Sequence, residues 1–231
     1  MVAADIYRAL METPGTPAGD PFDRHVVAAI LSLALDEADA GGTGALAGLG
    51  LERGALLALV GDLFPDKVDY IAQRVPDAPV EVDEEERNIR DILAMYASGY
   101  ASGHVSGAGR LQRALIALIA RRARAPHHLW QDLGLRNRGE LSELMARHFA
   151  PLKAKNAHDM KWKKFLYRMV CGSAGFTLCT APVCAECDDF QACFGAEDGE
   201  SRLAIARNGA ALGMVAAQGA HAPQVTRAPE R

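Results

Sequence analysis

Asp23-Arg-His-Val-Val-Ala-Ala-Ile-Leu-Ser-Leu-Ala-Leu-Asp-Glu-Ala38 decides the fold. Val26, Val27, Ile30, Leu31, Leu33 and Leu35 recur at helical spacing, and Gly41-Gly42 supplies a stop, so the stretch reads as a buried helix. The composition around it agrees. About half of the 231 residues are hydrophobic (49%), yet only 6% are aromatic, and Ala, Leu and Gly dominate. Small and straight side chains lose little rotamer freedom in a helix, so the fold class predicted is all-α, a multi-helix single domain.

Outward from this helix the chain divides into four parts. Residues 1–22 hold a short amphipathic segment, Ile6 to Met11, and a linker, Thr13-Pro-Gly-Thr-Pro-Ala-Gly-Asp-Pro21, whose prolines and glycines deny a helix its dihedrals and donors. Residues 23–170 form the helical domain. Its predicted helices include Leu51 to Phe64, one opening on the acidic run Asp83 to Glu86, Leu111 to Arg124, Gly139 to Phe149 with a break at Pro151, and His158 to Cys171. The glycine-rich stretch 41–50 follows a helix and lacks the Gly-Lys-Ser/Thr ending of a phosphate loop, so it reads as a flexible turn. Residues 171–195 are cysteine-rich, and 196–231 read as a mobile tail of Ala, Gly and Arg.

Net charge is −4, which excludes the broad basic field of a general nucleic-acid binder. No run approaches the roughly 18 to 20 apolar residues that cross a bilayer, and the N-terminus has no basic segment leading into an apolar one, so a cytoplasmic location without membrane contact is expected. All five cysteines lie between 171 and 193. A reducing compartment and an odd count argue against disulfides; clustered reduced thiols point to metal.

Cys179, Cys184, Cys187 and Cys193 follow the spacing C-x4-C-x2-C-x5-C. The first three match the C-x4-C-x2-C run that grips iron-sulfur clusters of the plant type, although the fourth lies nearer than in those proteins. Four thiolates also suit tetrahedral zinc, whose two ligand pairs usually stand farther apart than five residues. A zinc-stabilised module that docks a protein or nucleic acid therefore stays as the alternative. Cys171 is a packing residue or a spare ligand.

The basic stretch lies just upstream: Arg147, Lys153, Lys155, Lys161, Lys163, Lys164 and Arg168. Trp162, Phe165, Leu166 and Met169 form the inward stripe of the last helix, with Lys161, Lys164 and Arg168 on another face. Cations there, Lys163 among them, would stabilise an anionic thiolate cluster or an oxyanion. His127 and His128 are candidates for further ligands or metal-entry groups. No Ser/His/Asp, Cys/His or paired-carboxylate arrangement stands out, so a carrier rather than an enzyme is expected.

Met160-Lys-Trp-Lys-Lys-Phe-Leu-Tyr-Arg168, then Cys171 and the four-cysteine motif ending in Cys193-Phe-Gly195, resembles the NifQ family of nitrogen-fixation proteins. Pro126-His-His-Leu-Trp-Gln-Asp-Leu-Gly134 and Arg147-His-Phe-Ala-Pro-Leu152 are similar to that family too, and the likeness runs from about Asp23 to Gly195. The resemblance implies a molybdenum donor for the iron-molybdenum cofactor of nitrogenase, carrying a molybdenum-iron-sulfur cluster on the four cysteines. It implies as partners a source of molybdate or stored molybdenum and the scaffold proteins of nitrogenase cofactor assembly.

Overall fold

A computed structural model describes residues 2–12, 17–98, 107–173, 197 and 199–205. Among them all regular structure is helical and no strand occurs, as the composition predicts. The order is α1 (Ala3–Met11), α2 (Pro21–Asp39), α3 (Ala45–Leu49), α4 (Arg53–Leu63), a 3-10 turn (Pro65–Lys67), α5 (Val68–Arg74), α6 (Glu84–Met95), α7 (Gly107–Ala123), α8 (Leu129–Asp132), α9 (Arg138–His148), α10 (Ala150–Lys155) and α11 (Trp162–Ser173).

The decisive helix is α2. Every residue from Arg24 to Leu35 is buried, so it is covered on all sides, with α1 and α3 against it. Asp20 caps it, accepting from the amides of Phe22 (2.8 Å) and Asp23 (3.2 Å), and Pro21 takes the first turn, where its missing N–H costs nothing. The segment before the linker is a helix docked in the core, for Ile6 and Leu10 of α1 are fully buried. α7 packs on α3, α4 and α6, and α11 lies against α6. These helices share one hydrophobic core.

Three local expectations need correction. The glycine-rich turn contains α3, because Ala45, Leu46 and Leu49 reach the core at helical spacing. The break expected at Pro151 falls two residues earlier, at Phe149 (φ −139°), and Pro151 itself lies in the first turn of a further helix, α10, where proline is tolerated. The last helix starts at Trp162 rather than His158: Asn156 bonds both ways to Met160 (Nδ2 to O, 2.8 Å; N to Oδ1, 2.9 Å), and Asp159 is left-handed at φ 54°, which holds 156–160 as a loop.

α6 and α7 are tied by an ion cluster. Glu86 is wholly buried in the first turn of α6, with Arg90 Nη2 at 2.5 Å, Arg121 Nε at 2.7 Å and Arg124 Nη1 at 3.6 Å from its carboxylate. Three guanidinium groups on one desolvated acid supply the compensation that a buried charge requires.

Candidate functional site

Cys179, Cys184, Cys187 and Cys193 lie outside the described residues. Cys171 falls in the last turn of α11, and its side chain also lies outside them. What the structure does place is the entry to the cysteine-rich segment, on α11, and the chain that follows it, at 197 and 199–205.

Both approach Asp132. This residue ends α8, and its side chain is fully buried. The sharp turn after it depends on Gly134 at φ 72°, where a Cβ would meet Ala29 O of α2 at 3.0 Å. Asp132 Oδ2 accepts from Lys163 Nζ at 2.5 Å and from the His127 amide at 3.1 Å, and Oδ1 faces His127 Nδ1 at 3.0 Å. Arg202 Nη1 stands 3.5 Å from Oδ1, and its Nη2 reaches Glu37 of α2 at 2.8 Å. Lys163 also donates to Ala125 O at 2.5 Å. Burial lowers the pKa of Lys163, and the hydrogen bond and charge of Asp132 oppose that shift.

This arrangement separates the two histidines. An ionised carboxylate only accepts, so in the bond to Asp132 it is Nδ1 of His127 that donates, which leaves Nε2 as the ring nitrogen open to a ligand, on a side chain that is 50% exposed. A carboxylate that orients an imidazole this way is the usual partner of metal-ligating histidines. His128 is instead the N-cap of α8. Its backbone amide donates to Gln131 Oε1 at 3.3 Å, and Glu197 lies 3.4 Å from its Nδ1.

The cations divide as well. Lys163 turns inward to Asp132, Lys161 is half-buried, and Lys164 and Arg168 are exposed one turn apart on α11. Farther upstream, Arg147 pairs with Asp20 and Glu143, Lys153 with Asp159, and Lys155 sits over the Tyr96 ring. The basic stretch is thus largely engaged with the protein itself. Tyr167, farther along α11, donates to Glu85 of α6; its pKa is raised, first by burial and then by that bond.

Asp132, Glu197 and Arg202 are residues that the sequence reading missed. Asp132 carried a faint signal, an acid between Leu129-Trp130 and Leu133, all three buried. Glu197 and Arg202 carried none, since they lie in the stretch read as a mobile tail. A cavity of about 870 Å³ lies nearby, lined by Tyr7, His25, Gly199 and Glu200. In its wall Tyr7 Oη lies 2.8 Å from His25 Nδ1, and His25 Nε2 lies 3.0 Å from Glu140. Among the described residues no three His, Cys, Asp or Glu side chains are grouped to hold a metal ion, and no helix is long and apolar enough to cross a membrane.

The family model for NifQ matches residues 26–195. Among known relatives, Protein NifQ homolog of Sinorhizobium fredii is 37% identical over 196 residues, covering 85% of this chain and 82% of the relative. Protein NifQ of Rhodobacter capsulatus is 39% identical over 166 residues, 71% of this chain and 86% of the relative. Protein NifQ of Klebsiella pneumoniae is 47% identical over 78 residues, 33% of this chain and 47% of the relative. No solved structure matches. The matched span takes in the whole C-x4-C-x2-C-x5-C motif and all of α2 to α11 from Val26 onward, and the chain belongs to the NifQ family of nitrogen-fixation proteins.

Proposed function

We propose that this protein is a carrier, not an enzyme, that holds a molybdenum-iron-sulfur cluster as cargo and donates molybdenum to assembly of the iron-molybdenum cofactor of nitrogenase. The observation that carries this reading is the four-cysteine motif inside the span matched by the family. Thiolates are soft ligands suited to iron-sulfur clusters, while molybdenum commonly takes an oxygen or nitrogen ligand besides. Cys179, Cys184, Cys187 and Cys193 are the proposed cluster ligands. Cys171 stays a spare thiol.

The described residues support the reading in two ways. His127, whose Nδ1 is taken by Asp132 and whose half-exposed ring leaves Nε2 open to a ligand, is the better nitrogen donor of the two histidines, because the His128 ring faces the Glu197 carboxylate. Lys163 and Arg202 are balanced there by Asp132 and Glu37, so the positive charge that would favour an anionic thiolate cluster or molybdate is that of the outer face of α11. Exposed Lys164 and Arg168 carry it. The donor's partners are then a supplier of molybdate or stored molybdenum and the scaffold proteins of cofactor assembly, met in the cytoplasm.

Protein purified without oxygen from cells given iron, sulfur and molybdate tests this. Iron, acid-labile sulfide and molybdenum should copurify, and His127→Ala should lower the molybdenum content while leaving most of the iron. Stoichiometric zinc without sulfide would replace the carrier with a zinc-stabilised docking module.

A further inference from the structure

Beyond Gly195, where the family match ends, the chain folds back on the helical body. Glu197 is almost wholly buried, its side chain 4% exposed, with Oε2 3.1 Å from Arg138 Nε of α9 and Oε1 3.4 Å from His128. Gly199, at φ 140°, passes so close to α8 that a Cβ would lie 2.5 Å from Gln131 Nε2, and that amide donates to Glu200 O at 3.1 Å. Arg202, at the head of a single helical turn over 202–205, then spans Glu37 and Asp132. This strap therefore meets α2, α8 and α9 through side chains of opposite charge.

The same Asp132 binds Lys163, in the first turn of α11, the helix that precedes the cysteines in the chain. Cys193 precedes Glu197 by four residues. The segment that carries the cysteines thus begins and ends on elements anchored at one buried carboxylate. Fixing both ends restricts the conformations of the intervening chain during folding, so less entropy is lost when thiolates gather on cargo. We propose that Glu197 and Arg202 are positioning residues that raise retention of the thiolate-bound cargo by anchoring the chain beyond the last cysteine; this rests on the carrier reading above. Neither side chain needs to touch metal. Linkage makes the effect reciprocal: bound cargo must also hold the strap more firmly to the body.

The test uses the full-length protein, loaded anaerobically with ferrous iron and sulfide, and follows iron loss to a ferrous chelator by the decay of charge-transfer absorption. Arg202→Gln and Glu197→Gln should each release iron about tenfold faster, the change expected when one partly buried charged contact is lost. Helical circular dichroism should not change, and Arg202→Lys should recover most of the retention. Trypsin cleavage after Arg202, followed by mass spectrometry, should be slower in loaded than in unloaded wild type. Equal release from wild type and both variants, or equal cleavage with and without cargo, would overturn the anchor and leave the carrier reading standing. Failure of the wild type to take up iron and sulfide would remove both.

Discussion

Glu86 and Asp132 are both fully buried carboxylates ringed by cations, yet they hold together different things. Glu86 gathers Arg90, Arg121 and Arg124, all from α6, α7 and the residue just after α7, so it joins two adjacent helices of the body. Asp132 gathers His127 from its own loop, Lys163 from α11 and Arg202 from the strap, which are far apart in sequence and border the cysteine-rich segment on both sides. A desolvated charge needs partners wherever it lies. Where the partners come from decides whether its loss costs the fold or the function.

That contrast is easiest to break at Glu86. Glu86→Ala leaves three guanidinium groups without their buried anion and should cost about 3 to 5 kcal/mol of stability, read as a lower urea midpoint at unchanged slope. Asp132→Asn should cost less, about 1 to 3 kcal/mol, because Lys163 and Arg202 are partly solvated, with side chains 18% and 26% exposed. Its distinguishing effect is on cargo: iron retention should fall as it does in Arg202→Gln. If Glu86→Ala loosened cargo at constant helicity while Asp132→Asn did not, the division of labour between the two carboxylates would be reversed.

How far the sequence spoke for each region follows from range. α2 was legible because a helix buried on all sides shows an apolar run that needs no knowledge of its neighbours. The acidic start of α6 was legible as well, since Asp83 caps the Glu86 amide at 3.0 Å within one turn of chain. α3 and α10 were misread because glycine and proline mark local freedom and restriction, while the burial of Leu46 and Leu152 that makes these stretches helical comes from distant residues. The site divides in the same way. Thiol spacing is a local signal and was read directly. The pairing of Asp132 with Lys163 and Arg202 spans 31 and 70 residues, and no local pattern marks it.

Smaller effects sharpen the comparison on α11. Replacing Lys161, Lys163 and Lys164 with Gln should slow cargo loading or transfer without unfolding the chain; Lys163→Gln alone should account for most of any loss of stability, since it alone of the three meets Asp132. At the other end of the helix, the raised pKa of Tyr167 sets the sign of a pH effect. The unfolded chain would ionise this tyrosine near pH 10 while the folded protein keeps it protonated against Glu85, so its stabilisation is whole below about pH 10 and declines above it. The stability difference between wild type and Tyr167→Phe should be flat through neutral pH and shrink above about pH 10.

The central claim is that four thiolates hold a cluster as cargo on a helical body that does not depend on it. It is met most directly by measuring iron, sulfide and molybdenum in anaerobically purified protein beside Cys184→Ala, with helical circular dichroism on both. The account predicts all three elements in the wild type, their loss in the variant, and the same helical signal in each. A variant that kept the full metal load would contradict it.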